Sequence, residues 1–287
     1  MIAVTGATGE LGGRVARRLA SRGAAVRLVV RDAARAPSID GAEVALSPGY
    51  HDRAAMTAAL EGADALLLVS GRESATRVDE HRSAVAAAAD AGVGHVVYTS
   101  FLGAADDATF TLARHHAATE RAIDEAGLRR TFLRNAMYLD FVPFFASGDD
   151  GAIRGPAGDG HCAWVARDDV ADVAVEALLD PAAHAGRTYD VTGPQARTLA
   201  DAAAVLTRVT GREVRYVDET EEEAYASRAR FGAPAFEVEG WVSSYLAVRD
   251  GSMDVVSDVV PTLCGRPATS LEELLERNPG TWAHLRP

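Results

Sequence analysis

The N-terminal stretch MIAVTGATGELGG, residues 1–13, opens with a short apolar run and then places glycine at positions 6, 9 and 12. Residues 10–21 follow with apolar side chains at helical spacing. The first turn of such a helix offers unpaired N–H groups and a partial positive charge. Gly6 permits a tight turn, Gly9 lets the backbone approach a phosphate, and Gly12 lets the helix pack close to the strand. We therefore predict that this G-x-x-G-x-x-G loop binds the pyrophosphate of a dinucleotide.

Strands and helices alternate from this loop to about residue 135. The run ALLLVS at 65–70 is continuously apolar, which is typical of a parallel strand buried on both faces. The other predicted strands cover 1–5, 25–30, 43–46, 95–99 and 131–134, and the intervening helices cover 10–21, 53–60, 80–91 and 110–126. This alternation predicts an α/β fold with a Rossmann-type doubly wound parallel sheet.

The pattern changes in the second half of the chain. A loop is predicted at 155–160, and short strands at 188–191 and 213–217. Predicted helices cover 168–179, 198–209, 220–227 and 236–248. We divide the chain into an NAD(P)-binding Rossmann domain, 1–150, and a smaller C-terminal α/β substrate-binding part, 151–287. The strands near 188 and 214 could return to the sheet.

Composition excludes several classes of partner. The formal net charge of −12 argues against nucleic acid and anionic membranes. Cys162 and Cys264 lie far apart, so a metal site or a disulfide framework is not expected. No signal peptide is evident, and no apolar run approaches the ~18 residues of a spanning helix. We expect a cytoplasmic protein without a membrane partner.

The end of the second strand decides the coenzyme. An acidic residue there binds the ribose diol, whereas an arginine accommodates a 2′-phosphate. Here Arg31 precedes Asp32, and Arg35 follows one helical step later. The two arginines could form a phosphate clamp, or Asp32 could bind the ribose. NADP(H) is favoured and NAD(H) stays open; neither a metal nor a flavin is expected.

A missing residue type restricts the chemistry. All 29 cationic residues are arginine, and the chain contains no lysine. The Tyr-x-x-x-Lys pair of typical short-chain dehydrogenases, in which lysine lowers the tyrosine pKa, is therefore absent. Either the protein does not catalyse, or its substrate needs no strong proton donor. A quinone meets the second condition, because hydride addition gives a hydroquinone anion whose charge spreads over an aromatic ring.

The chain resembles the NmrA-like atypical short-chain dehydrogenases, and among them the type 2 NAD(P)H:quinone reductases. The similarity covers most of the chain and thins after about residue 220. The segments that carry it are MIAVTGATGELGG, LVVRD, LLLVSGRES, VVYTSFL, His116 to Glu120, TFLRNAMYL, GPAGDGHCAWVARDDVADVA and GRTYDVTGP. Family members often carry an aspartate before the tyrosine that follows strand three. Here Gly49 precedes Tyr50, and Asp52 is the alternative acid near the adenine.

The resemblance implies cofactor contacts at the carboxyl ends of the strands. They are Gly6, Thr8, Gly9, Glu10 and Leu11 for the pyrophosphate, Arg31 for the 2′-phosphate, Ser70 and Gly71 for the ribose, and Thr99, Ser100, Phe101 and Asn135 for the nicotinamide. The candidate catalytic residues are Asn135 and Tyr138, with His116 as a further group that could polarise a carbonyl. For His116, packing within the helix is the alternative.

The implied activity is NAD(P)H-dependent reduction of a quinone by direct hydride transfer, without a Tyr-Lys acid–base pair. The substrate would be a small aromatic quinone, stacked on aromatic residues near the ends of strands five and six. These aromatic residues are Phe101, Phe110, Tyr138, Phe141, Phe144 and Phe145.

Two alternatives stay open. One is a quinone-reducing component of a monooxygenase that hydroxylates a polycyclic aromatic polyketide. The other is a non-catalytic NAD(P)-sensing regulator. A homodimer, or a partner protein that completes an oxygenation, is also left open.

Overall fold

Seven parallel strands form the main sheet of the computed structural model, which describes residues 1–146 and 150–286. Their order is β3-β2-β1-β4-β5-β6-β8. Within the described ranges the strands are β1 Ile2–Val4, β2 Val26–Val30, β3 Glu43–Leu46, β4 Ala65–Leu68, β5 His95–Phe101, β6 Arg130–Asn135, β7 Ala152–Gly155, β8 Thr188–Val191 and β9 Arg215–Asp218. This sheet confirms the predicted Rossmann-type fold.

Helices cover both faces of this sheet. In the described residues the α-helices are α1 Glu10–Ser21, α2 Arg53–Leu60, α3 Arg77–Asp90, α4 Thr111–Glu125, α5 Arg167–Leu179, α6 Pro181–His184, α7 Leu199–Thr210, α8 Glu221–Arg228, α9 Ala235–Arg249, α10 Val259–Cys264 and α11 Leu271–Arg277. Short 3-10 helices cover Ala33–Arg35, Leu139–Ala146, Ala229–Phe231 and Ala283–Leu285. No helix of the described residues is long and apolar enough to cross a membrane.

The continuous apolar run of β4 is explained by burial on both sides. Leu66 and Leu68 belong to the core under α2 and α3, while Leu67 between them belongs to the core under α1 and α5. Successive strand residues point to opposite faces, so both faces require apolar side chains. The packing of α1 on α5 is supported by charge, with Arg18 contacting Asp168 at 2.5 Å.

The two strands expected to return to the sheet behave differently. β8 pairs with β6 in the main sheet, aligning Val191 with Asn135. β9 pairs with β7 in a separate two-stranded sheet instead. The predicted loop at 155–160 was wrong at its first residue, because Gly155 ends β7. A Cβ at Gly155 would lie 2.4 Å from the Tyr245 ring, so this close packing requires glycine. The division at residue 150 stays a prediction, and the main sheet draws one strand from beyond it.

Candidate active site

The glycine loop lies between β1 and α1 at the carboxyl edge of the sheet. Gly6 has φ +61°, and its carbonyl accepts the N–H of Gly9 at 2.8 Å. A Cβ on Gly12 would lie 2.4 Å from the Gly6 carbonyl oxygen. A side chain at position 12 would therefore push α1 away from the loop, so this turn requires glycine at both ends.

The first turn of α1 is open to a ligand. Gly9 occupies the N-cap position, and no side chain of the described residues caps the helix. Thr8 and Glu10 are exposed beside it, whereas Leu11 is buried in the core. Glu10 pairs with Arg14, whose hydrogen bond and charge lower the Glu10 pKa. The helix start therefore presents unpaired N–H groups to solvent with the Glu10 charge already compensated.

The segment after β2 exposes positive charge. Asp32 caps the following 3-10 helix by accepting the Ala34 N–H at 2.9 Å. Arg31 and Arg35 are exposed and form no ion pair with a carboxylate in the described residues. The carboxylate that could bind a ribose diol is thus engaged in a cap, and the arginines that could bind a phosphate are available.

Side chains from β5 and α3 fix the Ser70–Gly71 segment after β4. The Thr99 hydroxyl accepts the Ser70 N–H at 2.8 Å. The Gly71 N–H donates to His81 Nε2 at 2.9 Å, and the Gly71 carbonyl accepts from Arg77 Nε at 3.0 Å. Both peptide groups of Gly71 are therefore held by α3. The sequence did not single out Arg77, since an arginine in a helix is normally exposed.

His116 lies in a buried network behind this segment. Its Nε2 faces the Arg77 guanidinium at 3.0 Å, and its Nδ1 faces the Tyr98 hydroxyl at 2.9 Å. Arg77 can only donate, so Nε2 accepts and Nδ1 carries the proton. Burial, with the charge of Arg77, holds the pKa of His116 well below its usual range. This imidazole is neutral and both of its nitrogens are engaged; its catalytic role stays a prediction.

The side chains after Thr99 point away from the sheet edge. The Ser100 hydroxyl donates to Glu120 at 2.6 Å, and Glu120 also accepts two hydrogen bonds from Arg134. The ring of Phe101 packs against Phe110 with their centroids 4.8 Å apart. The structure therefore commits the side chains of Ser100 and Phe101 to packing, and their backbone remains as the part that could contact a cofactor.

Asn135 ends β6 with an unsatisfied amide. The residue is 2% exposed, and neither side-chain amide atom has a hydrogen-bond partner in the described residues. β6 lies between β5 and β8, which place Phe101 and Val191 on either side of Asn135. A buried amide without a partner costs about 1–3 kcal/mol. A ligand carbonyl that accepted from Nδ2 would recover the part of that cost that belongs to the donor.

Tyr138 lies three residues further on, beneath an arginine that the sequence did not identify as part of the site. The Arg167 guanidinium stacks on the rings of Tyr138 and Phe141, at 4.8 and 4.4 Å from their centroids. Burial raises the pKa of Tyr138 to about 12, although the Arg167 charge and the nearby Asn135 amide act in the opposite direction. Arg167 also helps to lower the Glu10 pKa. Its charge therefore acts on both the start of α1 and Tyr138.

Tyr50 and Asp52 serve the fold. The Tyr50 hydroxyl approaches the Thr5 hydroxyl at 2.7 Å and the Val69 carbonyl at 2.5 Å. Asp52 caps α2 by accepting the Ala55 N–H at 2.9 Å. One carboxylate oxygen of Asp52 is thus engaged in the cap, and its role near the adenine stays a prediction. Among the described residues, no group of three His, Cys, Asp or Glu side chains is arranged to hold a metal ion.

The sheet order and the open glycine loop together define a Rossmann-type dinucleotide-binding protein. The model of the NmrA-like family matches residues 1–234. The chain belongs to the NmrA-like family, as predicted.

Relatives of this chain match almost its whole length. Quinone oxidoreductase 2 of Escherichia coli is 35% identical over 278 residues, which cover 95% of this chain and 96% of the relative. A Streptomyces griseus reductase of (4-alkanoyl-5-oxo-2,5-dihydrofuran-3-yl)methyl phosphate is 38% identical over 273 residues, covering 93% and 94%. Both are named as oxidoreductases, which agrees with the predicted class.

Two crystal structures of relatives contain the favoured coenzyme. The E. coli NADPH-dependent quinone oxidoreductase, complexed with NADPH, superposes with a TM-score of 0.89 at 34% identity and covers 96% of this chain and 99% of its own. The triphenylmethane reductase of Citrobacter sp., complexed with NADP(H), gives 0.86 at 32% identity and covers 96% and 99%.

Proposed function

We propose that this chain is an NADPH-dependent oxidoreductase that reduces a quinone-type acceptor by direct hydride transfer. The observation that carries the proposal is the unsatisfied amide of Asn135 at the carboxyl end of β6, beside a protonated Tyr138. Open α/β sheets bind ligands at this edge. The relatives named above reduce a quinone, a dihydrofuran derivative or a triphenylmethane dye, and support an acceptor with a conjugated system.

The cofactor assignment rests on three features of the glycine loop and its surroundings. The open first turn of α1 would hold the pyrophosphate through the backbone N–H groups of Glu10 and Leu11. Arg31 would pair with the 2′-phosphate, because Asp32 is committed to its cap. Ser70 and Gly71, fixed by their hydrogen bonds, would lie along the ribose. When bound, the reduced nicotinamide supplies the hydride.

The protein's own groups orient and polarise the acceptor. Asn135 Nδ2 would donate to the carbonyl oxygen that becomes negative, so its hydrogen bond strengthens as the charge develops. Tyr138 keeps its proton at neutral pH because its pKa is raised to about 12, and can add a second donor. His116 acts as a positioning residue in our proposal, since its ring contacts Phe101 with centroids 6.0 Å apart.

This arrangement suits acceptors that stabilise their own negative charge. Burial raises the pKa of Tyr138 and lowers that of His116, so neither side chain delivers a proton readily at neutral pH. A saturated ketone would leave a localised alkoxide, whereas a quinone spreads the charge over its ring and takes its proton from water. Proximity and electrostatic stabilisation are then the protein's contributions.

The test is oxidation of NADPH and NADH, followed at the nicotinamide absorbance, with neutral quinones in the presence and absence of oxygen. We expect turnover with NADPH, and Asn135→Ala should lower kcat about tenfold to a hundredfold, because it removes a donor to the developing charge. An unchanged kcat in that variant would refute the role of Asn135. Tight NADPH binding without turnover of any quinone would favour the regulator instead. Product gained only with oxygen would indicate the hydroxylation component.

The coenzyme assignment is tested separately. Arg31→Ala should raise KM for NADPH about tenfold or more while KM for NADH changes little, because only NADPH carries the 2′-phosphate. Arg187→Ala is the matched control, since this exposed arginine directly precedes β8 at the amino edge of the sheet. Equal effects on both coenzymes would contradict the assignment.

A further inference from the structure

A cavity of about 590 Å³ lies between the 3-10 helix Leu139–Ala146, β7, the end of α8 and α9. Phe144 and Phe145 form part of its wall. Their 3-10 helix begins directly after Tyr138. With about 2 Å of rise per residue, Phe144 lies roughly 12 Å along the chain from Tyr138. The cavity volume is within the range of small-molecule sites, and one of its walls belongs to the short helix that starts next to Tyr138.

Two arginine–aromatic stacks line this cavity. Arg228 lies 5.2 Å from the ring centroid of Tyr245. Arg230 lies 4.9 Å from that of Phe231, whose ring packs edge-on against Trp241 at 5.9 Å. We call this space the aromatic–arginine cavity. Aromatic rings present flat apolar area, and guanidinium groups above them add positive charge.

The arginines of the cavity differ in how their charges are compensated. Arg228 is buried and pairs with Glu219 at 2.9 Å, and Arg154 pairs with Asp150 at 2.7 Å. Arg230 is exposed and has no carboxylate partner among residues 1–146 and 150–286. The cavity therefore has two neutralised arginines in its wall and one arginine at its rim whose charge is available to a ligand.

The rim of the cavity also exposes apolar surface. Phe231 is 59% and Phe144 is 49% exposed, which is unusual for phenylalanine outside a binding surface. These rings flank the same opening as Arg230. A ligand that covered them would gain from apolar burial and from the arginine together.

We propose that the aromatic–arginine cavity binds the acceptor, and that this acceptor is a planar aromatic molecule bearing an anionic group that pairs with Arg230. The ring system stacks on the aromatic walls, and its anionic substituent lies at the rim. The proposal rests on the function proposed above, since it names the substrate class of the same site.

The kinetic test compares 1,4-naphthoquinone with its 2-sulfonate. The ratio of KM for the sulfonate to KM for the neutral quinone should rise about threefold in Arg230→Ala and about tenfold in Arg230→Glu, as for an exposed charge pair lost or reversed. High salt should raise the wild-type ratio, because exposed pairs are screened. Arg187→Glu should leave it unchanged. An unchanged ratio in Arg230→Glu would overturn the proposal.

A binding test separates this proposal from the reductase activity. 2-Naphthalenesulfonate cannot be reduced, and it should quench tryptophan fluorescence through Trp241, which lines the cavity. The quenching should be lost in Trp241→Phe and weakened in Arg230→Glu. If both hold but no quinone is turned over, the cavity assignment stands and the proposed function fails. Undiminished quenching in Trp241→Phe would overturn the cavity assignment.

Discussion

Lowering the pH from 7.5 to 5.5 should destabilise this protein through its buried histidines, and two of these, His81 and His116, lie beside Arg77. Burial, followed by the charge of Arg77, lowers the pKa of His81 to about 3, and the same causes hold His116 well below its usual range. In an unfolded chain both titrate near pH 6.5. Between about pH 6.5 and 3 the unfolded state therefore binds more protons than the folded one. The free energy of unfolding must fall as the pH falls through this window.

The size of this effect follows from the number of protons. A histidine that titrates near 6.5 when unfolded and stays neutral when folded costs about 1.4 kcal/mol between pH 7.5 and 5.5. His81 and His116, at 1% and 6% exposure, both stay neutral across this range. Together they should remove about 2.7 kcal/mol, which is a large share of the roughly 5–15 kcal/mol that stabilises a typical protein.

The assay is urea unfolding, followed by circular dichroism, at the two pH values. His81→Gln keeps an acceptor for the Gly71 N–H and a donor for the Thr119 hydroxyl, yet does not titrate. Its loss of stability between pH 7.5 and 5.5 should be smaller than the wild type's by about 1.4 kcal/mol. The difference between the two proteins cancels carboxyl groups such as Glu73, whose pKa burial raises.

His161→Gln is the control for this experiment, since His161 is exposed and remains in water in both states. It should show the full wild-type loss. If His81→Gln also shows the full loss, the His81 imidazole is protonated in the folded protein. Its Nε2 then cannot accept the Gly71 N–H, and the hydrogen bond described above is wrong.

Three further changes test the packing that positions the site. Gly12→Ala should abolish the thermal stabilisation by NADPH, because its Cβ would lie 2.4 Å from a backbone oxygen. Gly280→Ala is the control, since its Cβ would have no atom within 4 Å, and it should keep this stabilisation. Equal stabilisation of the two variants would contradict the prediction. Tyr50→Phe should cost about 1–2 kcal/mol in urea unfolding, since two part-buried hydrogen bonds lose their partner, and no loss would refute their contribution. Asp169→Asn should lower the free energy of unfolding by about 3 kcal/mol and speed proteolysis near residue 269. The reason is that the fully buried carboxylate pairs with Arg266 and accepts the Thr269 N–H. An unchanged digestion pattern would argue against this role.

The elements nearest the glycine loop could be predicted because their signals are local. The helix at 10–21 and the strand at 43–46 begin and end where the sequence places them. Glycine spacing reports a steric demand that the neighbouring backbone itself imposes, as the 2.4 Å approach at Gly12 shows. The position of Arg31 directly after β2 could be predicted for the same reason, whereas its contact with a 2′-phosphate stays a prediction.

The remaining features depend on contacts that are distant in sequence. β7 has four residues, and its partner β9 starts about sixty residues later. A strand this short shows no periodicity from which its pairing could be predicted. Arg77 is buried because Gly71 and His116, on other elements, accept its hydrogen bonds. Arg167 resembled an ordinary residue in a helix start, and only the fold brings it over Tyr138. Propensity and local spacing contain no information about such pairs.

The sequence contains no lysine, and His81 and His116 are buried. Both features reduce the number of groups that could donate a proton to a product. A short-chain dehydrogenase that protonates its product needs an acid whose pKa is near neutrality. Here the helix that follows β5, α4, carries His116. Its imidazole is held neutral between Arg77 and Tyr98. Tyr138, without a lysine beside it, has its pKa raised by burial. The groups left at the sheet edge can donate hydrogen bonds but cannot readily surrender a proton. Under the proposed function, we expect a site built in this way to favour acceptors whose own electronic structure stabilises the added charge, which would link the missing residue type to the substrate class.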